Sequence, residues 1–176
     1  MKIRRARPND AADLSQLAER SFRDAFASVN SREDLDSFCR QTYGESIQLG
    51  EILDPGRVTL VADTGETFAG FAQVRINAAK DCVPDGYAAE LCRIYLDQCW
   101  LGQGVANQLM DAAIERARSS DAGWIWLGVW EHNTRAIAFY HRYGFRERGE
   151  HTFHLGSDAQ RDLILARPLA DDGQRA

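Results

Sequence analysis

The chain has 176 residues, 44% of them hydrophobic and 27% charged, and a formal net charge of −5 at pH 7. That size and composition suit a single globular domain with a sizeable core; no apolar run approaches the roughly 20 residues of a membrane span, and "MKIRRARPND" has no apolar block of the signal-peptide kind behind its basic residues. The acidic balance disfavours a nucleic-acid binder, which would present a basic face, and is permissive of a cationic small substrate. A cytoplasmic protein is expected, with a domain over 1–170 and a loose tail over 171–176. Cys39, Cys82, Cys92 and Cys99 form no Cys-x-x-Cys pair and read as free, core-filling thiols.

Lys2-Ile3-Arg4 ahead of Pro8 suits an edge strand over 2–6. Leu14, Leu17, Ala18, Phe22, Ala25 and Phe26 then recur at helical spacing, with Asp10 placed to cap and Asp13 in the first turn. Ser31 and Asp34 repeat the start signal for a second helix carrying Leu35, Phe38 and Cys39, and a third over 45–53 ends at Asp54-Pro55-Gly56. Strands over 58–62 and 68–76 flank a Thr64-Gly65-Glu66 turn. A loop over 79–86 leads to the strand "AELCRIYL" (89–96), a helix over 104–118 and the strand "GWIWLGV" (123–129). A helix over 134–143, closed by Gly144, precedes two final strands, 146–155 and 161–167, around Gly156-Ser157-Asp158.

"CWLGQGVANQLM" (99–110) thins its side chains where a helix begins. A helix start leaves about four N–H groups unpaired and carries roughly half a positive charge, so Gly102, Gly104 and Ala106 would admit a phosphate close to those donors. A lone Gly-x-Gly is by itself better explained as a turn that needs glycine for its dihedrals. Neither a P-loop nor a dinucleotide fingerprint is present.

"RIYLDQCWLGQGVANQLMDAAI" (93–114) resembles motif A of the GCN5-related N-acetyltransferases (GNAT), in which a strand runs into a Gln/Arg-x-x-Gly-x-Gly/Ala loop holding the pyrophosphate of acetyl coenzyme A. Leu101, Gly104 and Ala106 occupy the matching positions, and Leu101 departs from the usual Gln or Arg. "NTRAIAFYHRYGF" (133–145) is similar to the family's second signature, Asn-x-x-Ala-x-x-Phe-Tyr-x-x-x-Gly-Phe. The resemblance implies an α/β fold with a mixed sheet in the order β-α-α-β-β-β-α-β-α-β-β, and it covers nearly the whole chain. "ELCRIYL" and "FHLGSDAQRDLILARPL" look like the PaiA-type branch, whose members acetylate polyamines such as spermidine.

An alkyl ammonium, pKa about 10.4 in the lysine model, must lose a proton before it attacks a thioester; the developing oxyanion needs a donor, and the departing thiolate a proton. By resemblance, Tyr140 is the general acid to the thiolate, its alternative being a Tyr packed in an amphipathic helix. Asn133 is a contact to the cofactor arm as well as a helix N-cap. The main chain at Ile94, Tyr95 and Leu96 would pair with the pantetheine arm, with one N–H as oxyanion donor. The cofactor loop then comprises Leu101, Gly102, Gln103, Gly104, Val105 and Ala106. Glu90 is the candidate acceptor of the amine's proton, a salt-bridged strand end near Arg93 being the equal alternative; Glu131 is a weaker candidate for orienting the cation. His151 and His154, three apart in a strand, fall on opposite faces, so no metal is expected. Glu33, Asp34 and Asp36 read as a solvated helix face, and Trp124, Trp126 and Trp130 as core on one strand face. The expected enzyme is an acetyl-CoA-dependent N-acetyltransferase acting on a small-molecule amine in a ternary complex. A non-catalytic acyl-CoA-binding module and a protein or peptide acceptor are the alternatives, and a homodimer is suggested by analogy.

Overall fold

The computed structural model describes residues 1–84, 87–156 and 158–169. Seven strands, β1 (Lys2–Arg5), β2 (Arg57–Asp63), β3 (Phe68–Arg75), β4 (Ala88–Leu96), β5 (Trp124–Trp130), β6 (Arg146–Leu155) and β7 (Asp158–Pro168), form one sheet in the order β1-β2-β3-β4-β5-β7-β6. Helices α1 (Ala11–Phe26), α2 (Arg32–Thr42) and α3 (Glu45–Leu53) cover one face, and α4 (Val105–Arg118) and α5 (Thr134–Arg142) the other.

Burial follows the predicted periodicities. Leu14, Leu17, Ala18 and Phe22 of α1 are buried against Val61 and Phe71 of the sheet, while Val105, Leu109, Met110 and Ala113 of α4 pack on Val74, Leu91 and Ile125 from the other side. Alternation along each strand serves both layers, since successive side chains point to opposite faces. In β4, Ile94 and Leu96 pack toward α4 and Tyr95 toward α1.

Two irregularities in β4 shape the molecule. Gln73 is opposite Arg93 but Val74 is opposite Leu91, so Cys92 is an extra residue, a β-bulge that re-aims the strand. The parallel pairing of β4 with β5 covers only Ala88–Trp124, Ala89–Ile125 and Glu90–Trp126, whereas β5 pairs with β7 as far as Trp130–Asp162. Beyond Glu90 the two strands part, and the β5-facing edge of residues 91–96 is left without a strand partner.

Several expectations are corrected. Asp10 holds the N-cap position of α1, but its side chain makes no capping bond there: it lies in a 3₁₀ turn, and its carboxylate accepts from Arg4 Nη1 at 2.7 Å and from the Arg7 N–H at 2.6 Å. β7 begins at Asp158, three residues earlier than the pattern indicates, because pairing with β6 runs to Leu155–Asp158. Of the cysteines, all four are free but only Cys39 is buried; Cys82 and Cys92 are half-buried and Cys99 is exposed. The expected 171–176 tail, Asp85-Gly86 of the 79–86 loop and Ser157 of the final turn lie outside the described residues.

Candidate active site

The gap between β4 and β5 is bounded at one end by the glycine loop. Gly102 and Gly104 have φ of 78° and 79°, the left-handed region that favours glycine, and a Cβ at either would meet no atom within 4 Å. Dihedral demand, not crowding by the protein, fixes these glycines, and the space before them is open. Gly104 is the N-cap of α4, and the N–H groups from Gly102 to Asn107 meet no main-chain acceptor among the described residues. Those donors and the positive end of a 14-residue helix make an anion seat.

On the α1–α3 face a cleft of about 270 Å³ opens beside β4, walled by Phe22, Phe38, Tyr43, Tyr95 and Phe153, with Glu90, Cys92 and Arg93 on its floor. Tyr43 and Tyr95 share a hydrogen bond through their hydroxyls at 3.3 Å, and the Arg93 guanidinium lies 5.4 Å from the centre of the Tyr43 ring. Glu51 of α3 bridges Arg93 (2.7 Å) and Arg57 (3.3 Å), tying the helical layer to β4 and β2. Burial, then the nearby Glu90 charge, pushes the Cys92 thiol up to about 12, so it is no thiolate nucleophile.

Tyr140 of α5 stands on the opposite face of the sheet. It is buried among Phe139, Phe145 and the main core, and its hydroxyl makes no hydrogen bond among the described residues. Burial raises its pKa, and Tyr95 across the sheet adds to the shift. The phenol therefore keeps its proton at neutral pH.

Residues 12–145 match the acetyltransferase (GNAT) family model. The chain belongs to this family. It is 32% identical over 169 residues to the "Uncharacterized N-acetyltransferase in pepI 3'region" of Lactobacillus delbrueckii subsp. lactis, covering 96% of this chain and 98% of that one. It is 25% identical over 150 residues to the spermidine N(1)-acetyltransferase of Thermoplasma acidophilum, covering 83% and 88%. Among solved structures, the PaiA N-acetyltransferase of Thermoplasma acidophilum in complex with coenzyme A superposes with a TM-score of 0.74 at 21% identity over 95% of this chain and 98% of that one. The protein is thus a GNAT N-acetyltransferase that acts on an amine, with the mixed α/β fold of the family.

Within this GNAT enzyme the residues singled out in the sequence fall into three groups. Ile94, Tyr95 and Leu96 line the unpaired edge of β4, the loop from Leu101 to Ala106 sits at the start of α4, and Tyr140 lies in the core under α5, near enough to Tyr95 to feel it. Leu101 is exposed and its N–H bonds the Gln98 carbonyl, while the Gln103 amide donates to the Cys99 carbonyl at 2.7 Å, so neither side chain is committed to the anion seat. Asn133 caps α5, its Oδ1 accepting from the Ala136 N–H at 3.2 Å. Glu90 lies in the cleft, and its salt bridge runs to Arg75 of β3, not to Arg93.

Others are occupied elsewhere. Glu131 is held by Arg161 at 2.8 Å, and Asp36 by Arg23 at 2.7 Å. His151 and His154 do not converge, and no group able to hold a metal occurs among the described residues. No helix there is long and apolar enough to cross a membrane. Sequence reasoning missed Tyr43 as a wall of the cleft and named Arg93 only as a neighbour of Glu90; both are placed by packing between distant segments. It also missed Asp162, although "DLILA" carried a signal: a carboxylate at the same strand phase as the core residues Ile164 and Ala166.

Proposed function

We propose that this N-acetyltransferase moves the acetyl group of acetyl-CoA directly to a primary amine, with a polyamine such as spermidine as acceptor. The observation that carries the reading is the parting of β4 from β5 after Glu90, with unpaired main-chain donors at one end and Tyr140 near Tyr95 on the α4–α5 face. The donors fit a pyrophosphate and the unpaired β4 edge fits an amide-containing arm, which would add to it like a strand. When bound, acetyl-CoA supplies an activated acyl group and a thiolate leaving group.

The chain's own residues then have distinct tasks. The N–H groups of Gly102 to Asn107 hold the phosphates, and residues 91–96 present main-chain N–H groups to the arm and to the developing oxyanion. Tyr140 donates its proton to the departing sulfur. The aromatic cleft on the α1–α3 face receives the acceptor, so amine and Tyr140 meet the thioester from opposite faces of the sheet. The polyamine assignment is supported by the similarity to the Thermoplasma spermidine enzyme; of the charged residues lining the cleft, Glu90 is acidic and Arg57, Arg75 and Arg93 are basic.

The test is thiol release from acetyl-CoA with spermidine, spermine, putrescine, aminoglycosides and lysine peptides, Tyr140→Phe run in parallel. Saturable turnover, fastest with a polyamine and lost in the variant, is expected. Turnover fastest with a lysine peptide would replace the acceptor assignment, and binding of acetyl-CoA with no turnover on any amine would overturn the reaction.

A further inference from the structure

Gly128 leaves a gap in the side-chain row of β5, on the face it shares with Trp126 and Trp130. A Cβ there would lie 3.3 Å from Cε1 and 3.4 Å from Nε2 of His151, and 3.5 Å from Oδ2 of Asp162. Those two side chains come from β6 and β7, where His151 and Asp162 are direct partners opposite Trp130. The bare position on β5 thus lets a carboxylate and an imidazole lean toward β4 on the acceptor side of the sheet.

Asp162 is a charge without a counter-charge. Its side chain is 14% exposed, it makes no hydrogen bond among the described residues, and its nearest cationic candidate, His151 Nε2, is 3.8 Å away, beyond hydrogen-bond reach. His151 does not neutralise it, because its Nδ1 lies 3.2 Å from Lys80 Nζ, and burial and that ammonium both favour the neutral ring. With Nδ1 accepting from Lys80, the ring proton resides on Nε2, the nitrogen that faces Asp162. Burial alone pushes the Asp162 carboxyl up to about 6. The other titratable groups around this pair are Tyr95, which feels the Asp162 charge, and Glu90, which feels His151. Glu90 already has its cation, Arg75.

The position relative to the chemistry follows from the same contacts. Asp162 acts on Tyr95, which lines the cleft, and Tyr95 acts on Tyr140, which stands on the far face. Tyr95 of β4 therefore stands between an unpaired carboxylate of β7 and a protonated phenol of α5. A buried lone carboxylate is costly, and an acceptor ammonium is the counter-charge it lacks.

We infer that Asp162, backed by His151 as a positioning residue, receives the acceptor's ammonium group and takes its proton; this rests on the acetyl-transfer reading above. One proton passes from nitrogen to an Asp162 oxygen, freeing the lone pair, and from there to solvent. The nitrogen forms the C–N bond to the acetyl carbon, the C–S bond breaks, and sulfur takes the Tyr140 proton. The second proton lost by nitrogen restores the phenol, so that ammonium and thioester become amide, thiol and one released proton.

The experiment is the pH profile of kcat/KM with spermidine, or with whichever amine of the panel turns over, for wild type, Asp162→Asn and Glu90→Gln. Alongside it, spermidine binding is measured calorimetrically in the presence of coenzyme A, which cannot react. Wild-type kcat/KM should rise with pH through about 6, because only the ionised carboxylate can accept a proton. In Asp162→Asn that limb should vanish and kcat/KM fall on the order of 10²-fold or more, with the spermidine Kd weakened roughly tenfold and coenzyme A binding retained; Glu90→Gln should keep the limb. If Asp162→Asn keeps the limb, or only Glu90→Gln loses it, the proposal is overturned while the reaction stands. No turnover by wild type on any amine of the panel overturns both.

Discussion

At the residue scale, two side chains of opposite character carry the proposed chemistry. Tyr140 is kept protonated by burial, so its donating capacity should persist across the whole physiological range. Replacement by Phe leaves its packing against Phe139 and Phe145 intact, removes one proton donor, and should lower kcat about 10²-fold or more with the Kd for acetyl-CoA unchanged. Asp162 carries the converse stability consequence. Its folded pKa is raised from 3.8 to about 6 by burial, so the native state binds the proton more tightly than the unfolded chain does. The charged form therefore destabilises the fold above pH 6, and the penalty disappears as pH falls from about 6 through 4. Asp162→Asn should accordingly be more stable than wild type at pH 8, by on the order of 1 kcal/mol, and the difference should close by pH 4 in thermal melts of the ligand-free proteins. A pH-independent difference would remove the buried charge as its cause. Tyr140 is legible in the sequence because a local helix motif surrounds it. For Asp162 the strand phase it shares with Ile164 and Ala166 signals burial but not isolation, because the groups around its charge come from β5, β6 and the loop before β4.

At the element scale, the start of α4 joins a backbone demand to a binding demand. Gly104 has a positive φ and open space where its Cβ would be, so Gly104→Ala clashes with nothing yet forces a residue with a side chain into the left-handed region. That costs roughly 1–2 kcal/mol, and the new methyl group projects toward the seat offered to a phosphate. The expected result is a lowered Tm together with at least a tenfold weaker Kd for coenzyme A, kcat at saturation being little changed. A lowered Tm with an unaltered Kd would place the pyrophosphate elsewhere. The glycines, the following amphipathic run and the order of elements are local signals, and they predicted this element closely. The bulge at Cys92 has no such signal: it exists because β3 and β4 pair with a register shift, and it sets which of Glu90, Arg93 and Tyr95 share the cleft. The same holds for Glu51, whose bridging of Arg57 and Arg93 depends on where α3 lands on the sheet.

At the scale of the molecule, the sheet is continuous at both ends and parted in the middle. β1 to β4 form one antiparallel half covered by α1 and α3, and β5 to β7 another, and only three residue pairs of parallel ladder join them. The halves are further tied by α4 packing beneath both and by loop contacts such as the Trp126 Nε1 hydrogen bond to the Ala78 carbonyl at 2.7 Å. A ligand that pairs with the free edge of β4 and reaches the loop before α4 would supply contacts that the sheet lacks there. Because it binds the native state alone, it must stabilise the fold by mass action, by about 2.7 kcal/mol at a hundredfold excess over Kd. For a chain of this length, where each kcal/mol moves Tm by roughly 2–4 °C, coenzyme A at that excess should raise Tm by roughly 5–10 °C. Tyr140→Phe should show the full shift, since the role proposed for its hydroxyl is at the departing sulfur and not at the phosphates or the arm. Gly104→Ala should show a smaller one at the same concentration. An equal shift in all three proteins would separate the binding seat from the glycine loop, and no shift in any would mean that the parting of β4 from β5 does not receive coenzyme A.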